Sequence, residues 1–181
     1  TGISVLTEPK HFNGALSYLT QVREAVELPI LMKDIIIDPT QLEAASRIGA
    51  NVVLLIEAIF ERGYCELSLE EMIAKAHARN LEVLLEIQNE DEFRSAIETE
   101  ADLVGVNNRD LRTLKVDIGI TERILKKNDG QSKVVVSESG VITPEDIRFL
   151  RGCGAQAFLI GSAIMMAGNI EKKVKEFVTA Q

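Results

Sequence analysis

Short, branched apolar runs recur along the chain at intervals of about 26 residues, the spacing of a repeated strand–helix unit. They are Ile3-Ser4-Val5-Leu6, Ile30-Leu31-Met32, Val52-Val53-Leu54-Leu55-Ile56 and Val83-Leu84-Leu85, then Leu103-Val104-Gly105-Val106, Val134-Val135-Val136 and Ala157-Phe158-Leu159-Ile160. All seven are nearly continuous in hydrophobicity rather than alternating, which predicts strands covered on both faces. Between them apolar residues return at helical spacing: Leu42, Ala45 and Ile48; Leu69, Met72, Ile73 and Ala76; Ile118, Ile124 and Leu125. Asp38-Pro39 and Thr143-Pro144-Glu145 read as helix starts, a cap followed by proline in the first turn. Gly49-Ala50 and Gly152-Cys153-Gly154 fall where helices should stop.

Strict alternation of strand and helix predicts an α/β fold with a parallel sheet. No linker or low-complexity stretch divides it, so residues 1–181 read as a single domain. A doubly wound nucleotide fold should carry G-x-G-x-x-G after its first strand, and none is present. The better fit is a TIM (β/α)8-type barrel, of which this chain shows seven of the eight β/α units.

Composition narrows the function more than the fold. Apolar residues make up 46% and charged residues 27%, an ordinary globular mixture. Twenty Lys and Arg against 28 Asp and Glu give a formal charge of −8. Such a surface predicts no nucleic-acid partner and no anionic membrane, while leaving room for a local basic site. No apolar run approaches the roughly 18 residues of a membrane helix. Cys65 and Cys153 sit in neither C-x-x-C nor zinc-type spacing and read as free thiols of a cytoplasmic protein. His11 and His77 have no ligand-like neighbours, so no metal site is expected. The chain opens Thr1-Gly2-Ile3, without Met or signal peptide, and reads as if it begins in mid-domain.

In a β/α barrel, functional groups lie at the C-terminal ends of the strands. Those positions here hold Glu8, Lys33, Glu57, Glu86, Asn107, Ser137-Glu138-Ser139-Gly140 and Gly161-Ser162. Glu86 is set inside Leu84-Leu85-Glu86-Ile87, where a carboxylate is costly unless paired, and a tuned proton donor or acceptor is a reason to keep one. A solvated strand end would account equally well for Lys33 and Asp34, and one half of a structural ion pair for Glu86. Glu8 and Glu57 read as rim charges. The recurrence of polar groups at one end of nearly every strand favours a functional face. Ser139-Gly140 and Gly161-Ser162 follow the last two strands and place small residues ahead of a helix, where backbone N–H groups and the helix dipole can hold an anion. Tight turns alone would also explain these glycines.

These residues carry a resemblance. Ile3-Ser4-Val5-Leu6-Thr7-Glu8 with Phe12-Asn13-Gly14, Pro29-Ile30-Leu31-Met32-Lys33-Asp34 and Leu84-Leu85-Glu86-Ile87 are followed by Gly105-Val106-Asn107-Asn108-Arg109-Asp110-Leu111, Ser137-Glu138-Ser139-Gly140 and Phe158-Leu159-Ile160-Gly161-Ser162. In this order, over essentially the whole chain, they resemble the indole-3-glycerol phosphate synthase family of tryptophan biosynthesis. The resemblance implies a carboxy-lyase that closes an indole ring. 1-(2-Carboxyphenylamino)-1-deoxyribulose 5-phosphate cyclises, loses CO2 and then loses water.

By the same resemblance, Lys33 is the general acid that helps the ketone accept the ring carbon, and Glu86 works in proton transfer during dehydration. Asn107 belongs with them, and Glu138 orients the substrate. Arg109 supports the loop beside the substrate, and Phe12 and Leu111 form the apolar wall around the aryl ring. Ser139, Gly140, Gly161 and Ser162 form the phosphate cradle. The implied partner is a phosphorylated small molecule, and no cofactor or metal is implied, since ring closure needs only protons and positioning.

Two departures stand out. Ile35 occupies the position of the family's Phe after Lys-Asp. The family's first unit, with its Glu-x-Lys strand and Ser-Pro-Ser turn, has no counterpart in these residues. The alternative expectation is therefore a truncated barrel fragment or assembly module with little activity, self-associating through open sheet edges. A different phosphate-binding barrel, phosphoribosylanthranilate isomerase, would need a Cys and Asp acid–base pair at strand ends, and neither Cys65 nor Cys153 is so placed.

Overall fold

The computed structural model describes residues 1–128 and 133–180. The chain forms two compact units, Thr1–Glu86 with Glu98–Asp102, and Ile87–Ile97 with Leu103–Gln181.

The first unit runs β1 (Ile3–Leu6), α1 (Leu16–Ala25), β2 (Ile30–Lys33), α2 (Pro39–Arg47), β3 (Val52–Ile56), α3 (Glu57–Glu61), α4 (Leu69–His77) and β4 (Glu82–Ile87). Its strands pair in parallel and in chain order. Leu6 lies opposite Lys33, Met32 opposite Val53, and Ile56 opposite Glu86. The second unit runs α5 (Glu90–Glu98), β5 (Leu103–Asn107), α6 (Gly119–Leu125), β6 (Val134–Glu138), α7 (Pro144–Gly152), β7 (Ala157–Leu159), α8 (Ser162–Met165) and α9 (Ile170–Val178). Its strands are also parallel, with Asn107 opposite Glu138 and Glu138 opposite Leu159. All seven predicted strands are present, in an α/β arrangement of seven strand–helix units. Among the described residues no helix is long and apolar enough to cross a membrane.

Helices α2, α4, α6 and α7 form where the apolar stripes and caps predict. Asp38 accepts from Thr40 N at 2.8 Å while the Gln41 side chain accepts from Asp38 N at 3.1 Å, closing the start of α2 behind Pro39. Thr143 and Asp146 make the same reciprocal box at α7. Each such cap stabilises its helix by about 1 kcal/mol. Leu69, Met72, Ile73 and Ala76 are all buried on α4. Gly49, just past α2, takes φ +88°, a left-handed turn that stops the helix at little steric cost.

Two features differ from expectation. Neither β1 nor β7 is covered on both faces: Leu6 is 42% exposed and all of β7 is half-buried. Among the described residues of its unit each of these strands pairs on one side, with β2 and with β6 respectively. The second feature is α3, a short helix that begins directly at the end of β3 and draws Glu57 inside to 3% exposure. Glu57 is therefore not a rim charge. Neither is Glu8, which is buried.

Candidate active site

The C-terminal ends of β1 to β4 carry the first group of predicted residues. Lys33 is the last residue of β2 and Glu86 the fifth of β4. The register of β2, β3 and β4 puts both side chains on one face, and Lys33 Nζ lies 3.3 Å from Glu86 Oε2. Their side chains are 15% and 3% exposed. Lys33 is thus a half-buried ion-pair partner rather than a solvated strand end. The Phe12 ring centroid is 6.0 Å from the same Nζ, so an aromatic face stands beside the ammonium.

What holds these groups is local hydrogen bonding. Glu8 gathers the loop after β1 by accepting backbone N–H groups of Lys10 at 3.0 Å, of His11, and of Phe12 at 3.2 Å. Burial acts to raise this carboxyl, but the three N–H bonds and His11 outweigh it, leaving it below its ordinary value. Lys33 is fixed through its backbone. Thr7 N donates to Lys33 O at 3.1 Å, and Thr7 Oγ1 donates to Asp34 Oδ2 at 2.6 Å in a buried contact. The other Asp34 oxygen accepts from Ile35 N at 2.8 Å, and Gln41 Nε2 donates to Ile35 O at 3.0 Å.

In the second unit, the ends of β5 and β6 carry Asn107 and Glu138, buried and opposite one another in register. Asn107 Oδ1 accepts from Arg109 N at 3.0 Å. Arg109 then braces the loop that follows: it bridges to Val116, donates from Nη1 to Leu114 O at 3.1 Å, and its carbonyl accepts from Gln88 Nε2 at 3.3 Å. The Thr113 and Arg112 N–H groups hold the Asp110 carboxyl below its usual value and tighten the same loop. Leu111 stands half-exposed on it.

Ser139-Gly140 and Gly161-Ser162 lie past the ends of the neighbouring strands β6 and β7. Both residues of the first turn are left-handed, Ser139 with φ 65° and Gly140 with φ 91°. A Cβ on Gly140 would come within 2.6 Å of Val116 Cγ1 and 2.8 Å of Ile118 Cγ2, so only glycine fits there. Gly161 is the N-cap of α8, its carbonyl accepting from Ile164 N and Met165 N, both at 3.0 Å. The helix-start part of the anion argument is corrected at α7. That helix begins beyond Thr143, and the capping box takes its Asp146 N–H together with the Ile142 and Thr143 N–H groups that lead into it. An anion at Ser139-Gly140 must be met by the turn itself.

The sequence reading gave no role to four structural partners: Thr7 and Asn108, which it quoted only within motifs, Ser137, which it placed at a strand end, and Thr121, which it did not single out. All are buried polar residues, three of them at or beside strand ends and Thr121 on α6. Thr121 could have been found, since it lies three residues from both Ile118 and Ile124 on the apolar face of α6. The thiols stand apart from these groups. Cys65 Sγ donates to Ile37 O at 3.0 Å, and Cys153 caps the end of α7. Burial, then Glu122, push the Cys153 thiol up against the opposing pull of Lys126, so it stays protonated. Among the described residues no group of three or more His, Cys, Asp or Glu side chains is placed to hold a metal ion.

Comparison with known proteins identifies the family. The indole-3-glycerol phosphate synthase family profile matches residues 1–177. Two curated proteins of that name, from Caldanaerobacter subterraneus subsp. tengcongensis and Methanocaldococcus jannaschii, are each 43% identical to this chain, over 97% and 98% of it. The chain spans 66% and 64% of their lengths. A third, from Methanopyrus kandleri, is 44% identical over 99% of this chain and 68% of its own. Among solved structures, one described as "Native KDPGal structure" superposes with TM-score 0.65 at 16% identity, covering 98% of this chain and 79% of the other. At that identity the likeness shows the fold alone. The family profile and the three relatives, matching nearly the whole chain, place it: the chain belongs to the indole-3-glycerol phosphate synthase family.

Proposed function

We propose that this chain carries out the indole-3-glycerol-phosphate synthase reaction. It converts 1-(2-carboxyphenylamino)-1-deoxyribulose 5-phosphate to indole-3-glycerol phosphate, CO2 and water, as a carboxy-lyase of tryptophan biosynthesis. The observation that carries the reading is the Lys33–Glu86 pair: a half-buried acid and a buried carboxylate 3.3 Å apart, at strand C-termini, in a chain of this family.

In this reading Lys33 protonates the ketone oxygen as the ring carbon bearing the carboxylate attacks the ketone carbon. Loss of CO2 returns the bonding electrons to the ring. The hydroxyl at the former ketone carbon then leaves as water, with Glu86 in the proton transfer of that step. Close ion pairing holds the Lys33 ammonium in place, and a general acid must stand within reach of its target. Phe12 and Leu111 face the aryl ring, Asn107 and Glu138 orient the sugar chain, and Arg109 keeps their loop in place. Ser139, Gly140, Gly161 and Ser162 meet the phosphate. Positioning and proton transfer suffice for these steps, so the reading calls on no metal or cofactor. Free thiols at Cys65 and Cys153 fit a cytoplasmic setting.

A second reading, self-association through sheet edges, draws on the 42% exposure of Leu6 on β1 and the half-buried state of β7. Native mass spectrometry decides it: a dimer or larger species supports edge pairing, and a monomer at micromolar concentration removes it. The synthase reading is tested by indole fluorescence on addition of the carboxyphenylamino substrate. The chain has no Trp, so the product signal stands nearly alone.

A further inference from the structure

Beneath the Ser139-Gly140 turn lies a buried polar cluster to which none of the steps above assigns a role. Asn108, Thr121 and Ser137 are all fully buried. Asn108 Nδ2 lies 2.9 Å from Ser137 Oγ and 3.1 Å from Ser139 O. Its Oδ1 accepts from Thr121 N at 3.2 Å and from Thr121 Oγ1 at 2.8 Å. Thr121 Oγ1 and Ser137 Oγ are 2.9 Å apart.

The proton positions in this cluster follow from chemistry. A primary amide has two donors and two acceptor sites, and Asn108 uses all four. Ser139 O can only accept and Thr121 N can only donate, which fixes which end of the amide is oxygen. Thr121 spends its single hydroxyl proton on Asn108, so Ser137 donates to Thr121 and accepts from Asn108. The result is a closed ring running one way round, Asn108 to Ser137 to Thr121 to Asn108. In such a ring each bond strengthens the next, and loss of one member leaves buried groups unpaired. The amide proton outside the ring points at Ser139 O, the carbonyl of a residue held at φ 65°. A non-glycine residue in that region is strained and persists only where its surroundings hold it.

We propose that Asn108, locked by Thr121 and Ser137, is a positioning residue: it holds the Ser139-Gly140 turn left-handed so that the turn receives the substrate phosphate. The proposal rests on the phosphate-cradle reading and adds to it the residues that keep the cradle preorganised. The same ring joins β5, α6 and β6, and Asn108 N donates to Glu138 O at 2.9 Å, so Glu138 is registered from the same point.

The test compares binding of indole-3-glycerol phosphate with binding of its dephosphorylated form, indole-3-glycerol, by calorimetry. The wild-type chain should prefer the phosphorylated ligand. Asn108→Ala should lose about tenfold of that preference, the order of one hydrogen bond's ordering effect, while affinity for indole-3-glycerol stays within about twofold. A merely structural role would weaken both ligands alike. Thr121→Val, which keeps the side-chain shape, should lose a smaller part of the preference even if Asn108→Ala does not fold, and Thr121→Ser should restore it. A wild-type preference undiminished in Asn108→Ala or, where that variant does not fold, in Thr121→Val, or equal losses for both ligands, would overturn the positioning role and leave the cradle. A wild-type chain without preference for the phosphorylated ligand would overturn the cradle reading itself.

Discussion

Lys33 Nζ and Glu86 Oε2 approach to 3.3 Å across β3, the one from the end of β2 and the other from the end of β4, with Glu86 almost wholly buried. Taking two opposite charges out of water costs several kcal/mol each, and their attraction recovers that only with good geometry and further hydrogen bonds. The pair is therefore poor value as a stability device. A proton donor held in place beside a carboxylate gives it a use.

Lys33→Ala should lower the turnover rate by about 10²–10⁴-fold, the range for removing a general acid. Affinity for indole-3-glycerol phosphate should fall by much less, because the Lys33 proton matters mainly in the transition state. Steady-state kinetics beside product titration reads both. Equal losses in the two would contradict the general-acid role.

Thr7→Val keeps the shape of the side chain but removes the 2.6 Å bond to Asp34 Oδ2. Buried Asp34 then loses one of its hydrogen-bond donors, and the cost in unfolding free energy should be about 1–3 kcal/mol. Urea unfolding measures it. Since this clamp fixes the backbone of Lys33, activity measured well below the unfolding midpoint should fall as well. A variant as stable and as active as wild type would show that the clamp is not needed.

Glu8 supplies a pH test with a definite sign. Its folded-state carboxyl lies below the ordinary value of 4.5, because three loop N–H groups and His11 outweigh the effect of burial. Its contribution to stability is then complete above that ordinary value and is lost as pH falls through the folded value. The stability gap between wild type and Glu8→Gln should be constant near neutrality and shrink below about pH 4.5. Thermal unfolding at stepped pH shows this, and a gap that widens on acidification would mean that the sign is wrong.

The strands were legible because strands of a parallel sheet are apolar along most of their length, and seven such runs stand out, although β1 and β7 are not covered on both faces. Their ends were less so. Lys33, Glu86, Asn107 and Glu138 all lie within strands, although an apolar run stops short of most of them. Polar residues at those positions cut the apolar run short, and the same residues make up the candidate site. The capping pairs Asp38–Gln41 and Thr143–Asp146 were partly visible in the Asp-Pro and Thr-Pro starts, because both partners lie within one turn.

What stayed hidden depends on contacts far apart in the chain. Thr7 meets Asp34 across 27 residues, and Asn108 meets Ser137 across 29. No local pattern encodes such a pair; only the parallel register brings them together. The burial of Glu57 was hidden for a different reason: α3 starts with no intervening loop, which turns a strand-end carboxylate inward. The exposed side of β1 also could not be read from its apolar run, since composition does not say which strand has one neighbour in its unit and which has two.

The central claim is that Lys33 and Glu86 belong to a working indole-forming site. Its most direct test is to add 1-(2-carboxyphenylamino)-1-deoxyribulose 5-phosphate to the purified, folded chain and follow indole fluorescence, with Lys33→Ala alongside. The account predicts a steady rise in signal that the variant abolishes or slows by about 10²-fold or more. A folded chain that gives no signal at saturating substrate, or a signal that Lys33→Ala leaves intact, would contradict it.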